Sequence, residues 1–520
     1  MSDNTQILLA TILYISIVIG IGVKYAKQAN SSSENFLIGG RSLGPWVTAM
    51  AAEASDMSGW LLMGLPGVAY WLGLADAFWT AIGLFIGTYI NWLIVAKKIR
   101  NYSQVAGDAI TIPDFISNRF KENKKVLMTI AALFILVFFS VYAASCFVVV
   151  GKLFNGIFGI NYQLVMVIGA IFVVAYTFIG GFLAESVSDF MQGIVMFITL
   201  GLVAILAIRE AGGFSAIAEN VRQFPGFLEF FGMASPQMAD GAQQVSDGVP
   251  LFEAAKNYGL LTIVSTMSWG LGYFGMPQVL TKFMAIRDAK EVKLSRRVAV
   301  VWVAISLFAA VLLGIVGRSL FPVEFTSLAD AENIFVHMST TFFPPFLAGI
   351  VSAGILAATI SSSDSYLLIA SSAFSKNIYQ GIFKKDATDK QVLRMSHVAL
   401  IIVSIVAVII AFDENSVIFR IVSFAWAGFG ATFGPLILFS LFWKKTTRAG
   451  ALAGMLVGGS TVFLWKLVLN PLLSEQFPVF GIYELLPAFA LSAIAIFVVS
   501  KVTKAPSAEV IAEFDKVQAM

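Results

Sequence analysis

The chain is poor in cysteine, histidine and charge for its length. Its 520 residues include one cysteine, Cys146, and two histidines, and only 12% of them are charged. A single cysteine excludes an internal disulfide and a cysteine-based metal cluster. Both histidines, His337 and His397, lie near the ends of apolar blocks, so no histidine-ligated catalytic metal is evident. Because no nucleophile–base pair is evident either, we expect a protein that is not an enzyme.

What the chain has in excess is apolar residues, which make up 58% of the total and are gathered into long blocks. About 20 consecutive apolar residues suffice to cross a hydrocarbon core of ~30 Å. The sequence therefore predicts an all-α polytopic membrane protein with thirteen transmembrane helices. The blocks begin near Gln6, Gly44, Ala77, Lys125, Tyr162, Ser186, Tyr258, Val298, Pro345, Met395, Val417, Ala449 and Phe480.

Basic residues are concentrated in the loops that follow odd-numbered blocks. Those loops hold Lys24, Lys27, Arg41, Lys97, Lys98, Arg100, Arg119, Lys121, Lys282, Arg287, Lys376, Lys384 and Lys444, among others. The opposite side holds only Lys152, Arg209, Arg222, Lys256 and Arg318. The positive-inside rule then predicts that the N-terminus lies on the outer side and the C-terminus on the inner side of a bacterial-type cytoplasmic membrane. The net charge of +3 gives no indication of nucleic-acid binding, and no obligate protein partner is evident.

Two of the apolar blocks contain residues that break helices. In residues 51–67, Glu53 and Asp56 lie among Ser, Gly and Pro, and residues 268–277 are similarly rich in glycine. A carboxylate at hydrocarbon depth is costly and must face a partner, a cavity or an ion. Unwound backbone is tolerated there only where it lines a site. Two interrupted helices in corresponding places are a sign of a secondary transporter's binding site.

The two interrupted blocks divide the chain into two halves of five spans each. Residues 1–43 hold the first span, 44–210 the first half, and 211–257 a long outer segment with a short surface helix at 214–224. Residues 258–445 form the second half, which includes a smaller outer segment, 327–343, that is also expected to hold a helix. Residues 446–504 hold the last two spans. Because five is odd, the second half must run in the opposite sense, as an inverted repeat. The tail, residues 505–520, is polar and expected to be cytoplasmic and poorly ordered.

Hydroxyl groups are concentrated in the ninth block. Ser361, Asp364 and Ser365 have the spacing that places them on one helix face, and Ser362 lies about 100° further round. Hydroxyls together with the free carbonyls of a broken helix suit a hard cation such as Na⁺, which prefers oxygen ligands. The alternative is that these serines only let helices approach closely in lipid. Three consecutive serines followed by an aspartate favour the ion site.

Other charged and aromatic residues fall near the breaks. Asp189 begins the sixth block and is either a site residue or a favourable charge at a helix N-terminus, whereas Glu185 is expected in a loop at the inner interface. Aromatic rings beside the breaks can enclose an apolar or zwitterionic solute. These rings belong to Trp60, Tyr142, Trp269 and Tyr273.

Several of these stretches resemble the sodium:solute symporter family, most closely its proline-transporting members. The matching stretches are residues 39–45 (GGRSLGP), 55–67 (SDMSGWLLMGLPG), 176–182 (YTFIGGF), 269–275 (WGLGYFG), 353–358 (AGILAA) and 426–431 (WAGFGA). The resemblance extends from Gly39 to about Gly454. It implies a LeuT-type core, with spans two to eleven as two inverted repeats, and Na⁺-driven import of a small solute, L-proline, by alternating access.

The resemblance also implies a role for particular residues. The main Na⁺ site would consist of the carbonyls of Ala54, Met57 and Ala358 and the hydroxyls of Ser361 and Ser362. Asp56, Ser58 and Gly59 match family positions that couple Na⁺ to the solute, and Glu53, which lies one helical turn from Asp56, is added to them as a candidate from this sequence itself. The solute pocket would be formed by Ser58, Trp60, Tyr142, Trp269, Tyr273 and Pro277. Asp189, Ser361 and Ser365 resemble a second cation site of some family members, and Asp364 is added to it as a candidate because it shares the helix face of Ser361 and Ser365.

The sequence departs from the family at three of these positions. Ser362 replaces a threonine, which keeps the hydroxyl, while Glu53 and Asp364 replace small or hydroxyl residues. The two extra carboxylates leave open a second cation, a proton, or a more basic solute. Three alternatives to Na⁺-driven proline import remain open. The first is a symporter of the same fold for another amino acid, a betaine-like compound or a carboxylate, and the second is a symporter driven by H⁺. The third is a membrane receptor that binds solute without transporting it.

Overall fold

Helices form almost all of the regular structure, as expected of a backbone that must satisfy its hydrogen bonds inside a bilayer. The computed structural model describes residues 2–29 and 31–520. The α-helices are α1 (Asp3–Ala29), α2 (Ser33–Ile38), α3 (Pro45–Asp56), α4 (Leu65–Leu72), α5 (Leu74–Ile90), α6 (Ala96–Val105), α7 (Ile112–Arg119), α8 (Val126–Phe158), α9 (Tyr162–Glu210), α10 (Phe214–Arg222), α11 (Leu260–Met267), α12 (Pro277–Ala285), α13 (Val292–Leu320), α14 (Leu328–Ala331), α15 (Ile334–Phe342), α16 (Pro345–Ser372), α17 (Asp389–Ile410), α18 (Ile418–Phe442), α19 (Arg448–Leu464), α20 (Asn470–Leu473), α21 (Leu485–Val502) and α22 (Ala508–Gln518).

Shorter segments link or extend these helices. The 3₁₀ segments are Gly39–Arg41, Ser268–Gly275, Ala289–Glu291 and Pro478–Gly481, and wider π-type turns cover Trp60–Gly64, Asn91–Val95, Ala373–Phe383 and Trp465–Leu469. The strands are β1 (Gly232–Met233), β2 (Met238–Ala239), β3 (Ala242–Gln243), β4 (Val245–Ser246), β5 (Val249–Pro250) and β6 (Lys256–Asn257). They pair antiparallel as β1 with β6, β2 with β3 and β4 with β5.

Ten helical runs in the described part of the chain are long and apolar enough to cross a membrane. The fifth and sixth predicted blocks lie together in α9, whose 49 residues would extend about 74 Å as one straight helix. That is more than twice the hydrocarbon thickness. Its backbone leaves the helical conformation at Gly181 (φ 56°, ψ −173°), a left-handed φ that favours glycine. The expected boundary near Ser186 is therefore corrected to Gly181, and the total of thirteen spans stays a prediction.

The interior is organised around α16, which packs against α1, α3, α8 and α9. All residues from Val351 to Leu368 on this helix are buried. Helix α3 packs against α9, α12, α13 and α16, so the end of α3 lies inside the bundle. Cys146 on α8 is also fully buried in this interior. The packing brings the first interrupted helix against the serine-rich part of α16.

The second interrupted helix approaches α5 very closely. A Cβ on Gly270 would lie 2.2 Å from the carbonyl oxygen of Gly83, and one on Gly87 would lie 2.3 Å from the carbonyl oxygen of Gly270. Real Cβ atoms cannot approach that closely, so this contact between backbones requires glycine on both sides. The 3₁₀ segment Ser268–Gly275 is thereby fixed against α5.

Outside the membrane-crossing helices, two predictions are confirmed and one is wrong. Helix α10 occupies residues 214–222, and α14 and α15 lie within the segment 327–343 for which a helix was also expected. The tail was expected to be poorly ordered, but α22 forms there and buries Val510, Phe514 and Val517. Their spacing places them on one face of the helix.

Helix α22 docks on loops and helix ends that come from distant parts of the chain. Lys121 pairs with Glu509 and Glu513, and Lys444 Nζ lies 3.5 Å from Asp515 Oδ1. Gln518 Nε2 donates to the carbonyl oxygen of Leu441 at the end of α18 (2.8 Å). Basic residues of several predicted inner loops thus gather around the acidic face of α22.

Candidate functional site

The first interruption brings α3 against hydroxyl groups of α16. Helix α3 ends at Asp56, and Met57 leaves the helical conformation (φ −83°, ψ 45°). Ser361 Oγ donates to the carbonyl oxygens of Ala54 (2.9 Å) and Ala358 (3.1 Å). Ser362 Oγ lies 3.3 Å from the same Ala54 oxygen. Four of the five predicted main-site residues therefore meet at one point, and all four are fully buried.

This arrangement offers neutral oxygen atoms to a cation. The carbonyls in the last turn of a helix lack intrahelical partners, and a hydroxyl oxygen keeps lone pairs that can face an ion while its hydrogen turns elsewhere. Met57, the fifth predicted ligand, lies at this helix end, and its amide donates to the carbonyl oxygen of Glu53 (2.8 Å). Hard cations prefer such oxygen ligands. The role of these residues as Na⁺ ligands stays a prediction.

Asp56 connects the first interruption to two other helices. Its Oδ1 accepts a hydrogen bond from Gln278 Nε2 on α12 (3.3 Å). Its carbonyl oxygen is 3.5 Å from Tyr142 Oη on α8. The carboxyl group is buried. Gln278, which the sequence reasoning missed, therefore joins the two interrupted helices directly through Asp56.

Ser58 and Gly59 shape the turn that follows. Ser58 Oγ accepts from the amide of Trp60 (3.3 Å), which holds the turn that begins the wide segment Trp60–Gly64. A Cβ on Gly59 would lie 2.5 Å from Val149 Cγ2 on α8. Glycine is needed there because α8 packs directly against the turn.

Glu53 lies one turn before the interruption and is bonded to Trp92. Its Oε1 accepts from Trp92 Nε1 (2.8 Å), and Trp92 packs on Phe283 of α12 with ring centroids 4.4 Å apart. Its Oε2 has no hydrogen-bond partner within the described chain. Glu53 is fully enclosed by protein.

Aromatic rings from both interruptions meet in one cluster. Trp60 and Trp269 have ring centroids 5.5 Å apart, and Phe419 lies 5.9 Å from Trp60 and 5.3 Å from Trp269. Tyr273 contacts Trp426 edge-on at 5.0 Å. Rings in this arrangement can enclose the apolar part of a small solute.

Two further predicted pocket residues lie at the margin of this cluster. Tyr142 stacks on Tyr366 of α16 with centroids 4.2 Å apart. Pro277 is the first residue of α12 and follows Met276, which is extended (φ −75°, ψ 109°). Proline suits that position because its fixed φ starts a helix without needing a donor. The structure thus places all the predicted solute residues around the two interruptions.

Several residues of the aromatic cluster were missed by sequence reasoning. Tyr483 precedes α21, yet it stacks on Trp269 (5.2 Å) and donates from Oη to the carbonyl oxygen of Ser423 (2.7 Å). Phe419 is held by Glu332, whose Oε1 accepts from the Phe419 amide (2.9 Å). Glu332 also pairs with Lys152 Nζ (2.8 Å). Trp426 lay in a motif recognised for the family, but neither Tyr483 nor Glu332 had a local signal.

Three of the four residues predicted for the second cation site, Asp189, Asp364 and Ser365, lie close together in the structure, and their role as cation ligands stays a prediction. Asp189 Oδ2 is 3.3 Å from Lys282 Nζ, and Ser365 Oγ donates to Glu185 Oε1. Asp364 Oδ1 accepts from the amide of Ser365 (2.8 Å). Ser361 faces Ala54 instead. Asp189, Asp364 and Ser365 therefore gather around Glu185, which the prediction did not include, and Lys282 contacts this group.

Two charged residues were assigned to the wrong environment. Lys282 was counted with the inner loops, but it lies within α12 and is 1% exposed. Glu185 was expected in a loop, but it is buried inside α9 with its Oε2 2.7 Å from Lys282 Nζ. Hydropathy places both near the ends of apolar blocks and cannot reveal that they form an ion pair.

The sequence is similar to one family over most of its length. The profile of the sodium:solute symporter family matches residues 36–458. Sodium/proline symporters of Staphylococcus aureus strains JH9 and NCTC 8325 / PS 47 are 40% identical to this chain over 518 residues, covering 99% of the chain and 96% of each relative.

Solved structures share the fold at much lower identity. A Na⁺-coupled sialic acid symporter, in a substrate-bound outward-open state, matches with a TM-score of 0.74 at 17% identity, covering 98% of this chain and 99% of that one. Mhp1, a nucleobase-cation-symport-1 family transporter, matches with a TM-score of 0.53 at 14% identity, covering 93% and 98%. MhsT in complex with L-phenylalanine gives 0.50 at 14% identity, covering 87% and 97%. The predicted LeuT-type fold is thereby confirmed.

Proposed function

Because the chain belongs to the sodium:solute symporter family, we propose that it imports L-proline together with Na⁺ across a bacterial-type cytoplasmic membrane. The observation that carries this proposal is the shared contact of Ser361 and Ser362 with the Ala54 carbonyl at the end of α3. An ion held there joins α16 to the interrupted helix. The relatives that are 40% identical over almost the whole chain are named sodium/proline symporters, which supports proline as the solute.

In this proposal Na⁺ binds first, between α3 and α16, with Ala54, Met57, Ala358, Ser361 and Ser362 as ligands. Binding fixes the end of α3 and thereby the orientation of Asp56, Ser58 and Gly59. Asp56 transmits the change to α12 through Gln278. Coupling requires that Na⁺ and solute stabilise each other's binding reciprocally. The driving force is the Na⁺ gradient plus about 2.3 kcal/mol per charge for each 100 mV of membrane potential.

The solute binds between the two interruptions. Its pyrrolidine ring packs among Trp60, Trp269 and Tyr273, with Tyr142 and Pro277 at the margin, and its carboxylate faces Ser58 and the backbone of the first interruption. A neutral zwitterion fits this pocket better than a basic solute, since Glu53 is turned toward Trp92.

The proposed topology places the N-terminus outside and the C-terminus inside. Lys97, Lys98, Lys121 and Lys444 come from different loops yet lie around α22. A basic surface that includes the C-terminal helix is what the positive-inside rule requires of the cytoplasmic side. Accessibility of single cysteines placed in the 211–257 segment and in α22 tests the orientation.

The central experiment is uptake of radiolabelled L-proline into proteoliposomes that contain the purified protein. We expect uptake with an inward Na⁺ gradient and little uptake when Li⁺ or K⁺ replaces Na⁺. Proline uptake driven by a pH gradient without Na⁺ would contradict the proposal that Na⁺ is the coupling ion. A transported solute other than proline would be indicated if a betaine, a basic amino acid or a carboxylate were taken up and proline did not compete with it. Binding of solute without counterflow would indicate a receptor.

A further inference from the structure

Lys282 is a buried cation whose donors are all engaged. Its Nζ lies 2.7 Å from Glu185 Oε2, 2.9 Å from Ser186 Oγ and 3.3 Å from Asp189 Oδ2. An ammonium group has three N–H donors, so these three oxygens use its full capacity. The ring of Phe182 lies over the ammonium group, with its centroid 4.5 Å away. Lys282 is therefore fixed in place by polar contacts and one aromatic face.

The acidic groups around Lys282 form a compact cluster. One carboxylate oxygen from each of Glu185, Asp189 and Asp364 lies within 4.8 Å of the others, and all three residues are buried. They come from α9 and α16, while Lys282 comes from α12. Three carboxyl groups so close together in a dry interior are stabilised by positive charge nearby or by bound protons. Among the described residues, Lys282 is the cationic side chain that contacts these carboxyl groups.

The oxygens that a second Na⁺ would need are largely in use. Ser365 Oγ is bonded to Glu185, and Ser361 Oγ is bonded to Ala54 and Ala358. Of the cluster's carboxylate oxygens, Asp189 Oδ1 and Asp364 Oδ2 are the two without a hydrogen-bond partner in the described structure. Hard cations take several oxygen ligands, and the proposed main site offers five. Two oxygens beside a fixed ammonium group do not provide such a shell.

We propose that Lys282 supplies the positive charge at the second cation position, so that this transporter binds a single Na⁺, at the site between α3 and α16. The inference rests on the proposed Na⁺-coupled uptake and specifies its stoichiometry. A charge tethered to α12 cannot leave with the solute, so it contributes nothing to the charge carried per cycle. It also holds the inner half of the second interrupted helix against α9 through electrostatic contacts.

The test compares wild type, Lys282→Met and Lys282→Arg in proteoliposomes. Two quantities are measured: the Hill coefficient of Na⁺ for proline uptake, and the charge moved per proline, from reversal potentials. The Hill coefficient is bounded by the number of coupled sites. For wild type we expect a coefficient of about 1 and about one charge per proline, which is a net-neutral zwitterion.

Loss of the ammonium group should leave the three carboxylates uncompensated and free their oxygens for Na⁺. We expect Lys282→Met to raise the Hill coefficient toward about 2 and the charge to about two per proline, while Lys282→Arg stays near 1. Arg318→Met is the matched control, because Arg318 is a fully buried cation outside the cluster that donates to Gln243 Oε1 (2.6 Å). It should leave the coefficient near 1.

Two outcomes would overturn the inference: two charges per proline in wild type, or a coefficient of 1 in a folded and active Lys282→Met variant. Should Lys282→Met fail to fold, the number of charges that wild type moves per proline decides whether one or two Na⁺ ions are bound. Absence of any Na⁺-dependent uptake by wild type would instead contradict the proposed function, so the two failures are distinguishable.

Discussion

The two interrupted helices differ in how their backbones open. At the first, α3 stops at Asp56, and the non-helical residue Met57 releases the carbonyls of the preceding turn. At the second, the chain tightens into a 3₁₀ segment, Ser268–Gly275, before the extended residue Met276. The first therefore presents main-chain oxygens to the hydroxyls of α16, whereas the second presents aromatic rings. In the proposed function, the first interruption binds the ion and the second contacts the organic solute.

The tighter turn at the second interruption has a consequence for its neighbour α18. In a 3₁₀ helix, residues three apart lie above one another, which aligns Trp269, Gly272 and Gly275. A Cβ on Gly272 would lie 1.9 Å from Trp426 Nε1, and Trp426 Nε1 donates to the carbonyl oxygen of Trp269 (2.8 Å). The two glycines let α18 approach, and the tryptophan indole satisfies a carbonyl that the turn leaves free.

Removing a hydroxyl at the first interruption should have the largest effect. Ser361→Ala removes a proposed Na⁺ ligand, and an interaction with a charged group is worth about 1.5–3 kcal/mol. We expect the half-saturating Na⁺ concentration for proline uptake to rise about 10- to 100-fold. Ser363→Ala is the matched control, because its hydroxyl donates to Thr359 (2.6 Å) and Ile360 (3.3 Å) of its own helix. Unchanged Na⁺ dependence in Ser361→Ala would assign the ion elsewhere.

Filling the turn at the first interruption should disturb the fold locally. Gly59→Ala forces a methyl group against Val149, and overpacking of this kind costs about 1–3 kcal/mol. We expect a lower thermal midpoint in detergent and weaker Na⁺ binding, both restored in part by adding Val149→Ala. Gly201→Ala on α9 is the control, since a Cβ there meets nothing within 4 Å. A normal midpoint for Gly59→Ala would mean that α8 does not constrain the turn.

Truncating the central ring of the second interruption should affect the solute and spare the ion. Trp269→Ala removes the ring that contacts Trp60, Phe419 and Tyr483. We expect the half-saturating proline concentration to rise about tenfold, equivalent to about 1.4 kcal/mol. Binding of radiolabelled Na⁺ without proline should change little. Trp46→Ala, whose ring is 55% exposed, is the control. Equal losses of Na⁺ and proline binding would remove the distinction between the two interruptions.

The smallest effect is expected from a single hydroxyl behind that ring. Tyr483→Phe loses the hydrogen bond from Oη to the Ser423 carbonyl (2.7 Å), which is worth about 0.5–1.5 kcal/mol. We expect a rise of about three- to tenfold in half-saturating proline. Na⁺ binding should be unaffected. Tyr89→Phe, at an exposed tyrosine of α5, serves as the comparison. No change in proline affinity would show that Tyr483 does not position Trp269.

Candidate site residues could be predicted from the sequence when the signal lay within a short stretch of the chain. The first interruption was predictable because Asp56, Ser58 and Gly59 stand together in an apolar block, and Ser361 and Ser362 because consecutive serines are uncommon at mid-span. Tyr483 was not predictable, since its partner Trp269 lies far away in the chain. Roles that depend on a ligand, such as those of the Na⁺ residues, stay predictions.

Charged residues were the harder case. Hydropathy reads Lys282 and Glu185 as the margins of apolar blocks, and only the fold reveals that they neutralise each other inside the bundle. The tail was misjudged for another reason. Residues Val510, Phe514 and Val517 follow a helical period that predicts an amphipathic helix, but the overall polarity of the segment outweighed that period in the interpretation.

The enclosed thiol of Cys146 has a practical consequence for spectroscopy. It is fully inaccessible on α8, one turn beyond Tyr142, and inert thiols are those kept away from water. A cysteine introduced at an exposed loop is then the chain's single reactive sulfhydryl, so a fluorophore or spin label can be attached to the otherwise native protein. Distances between labelled positions would follow the opening and closing of the helices while the pocket wall keeps its own packing.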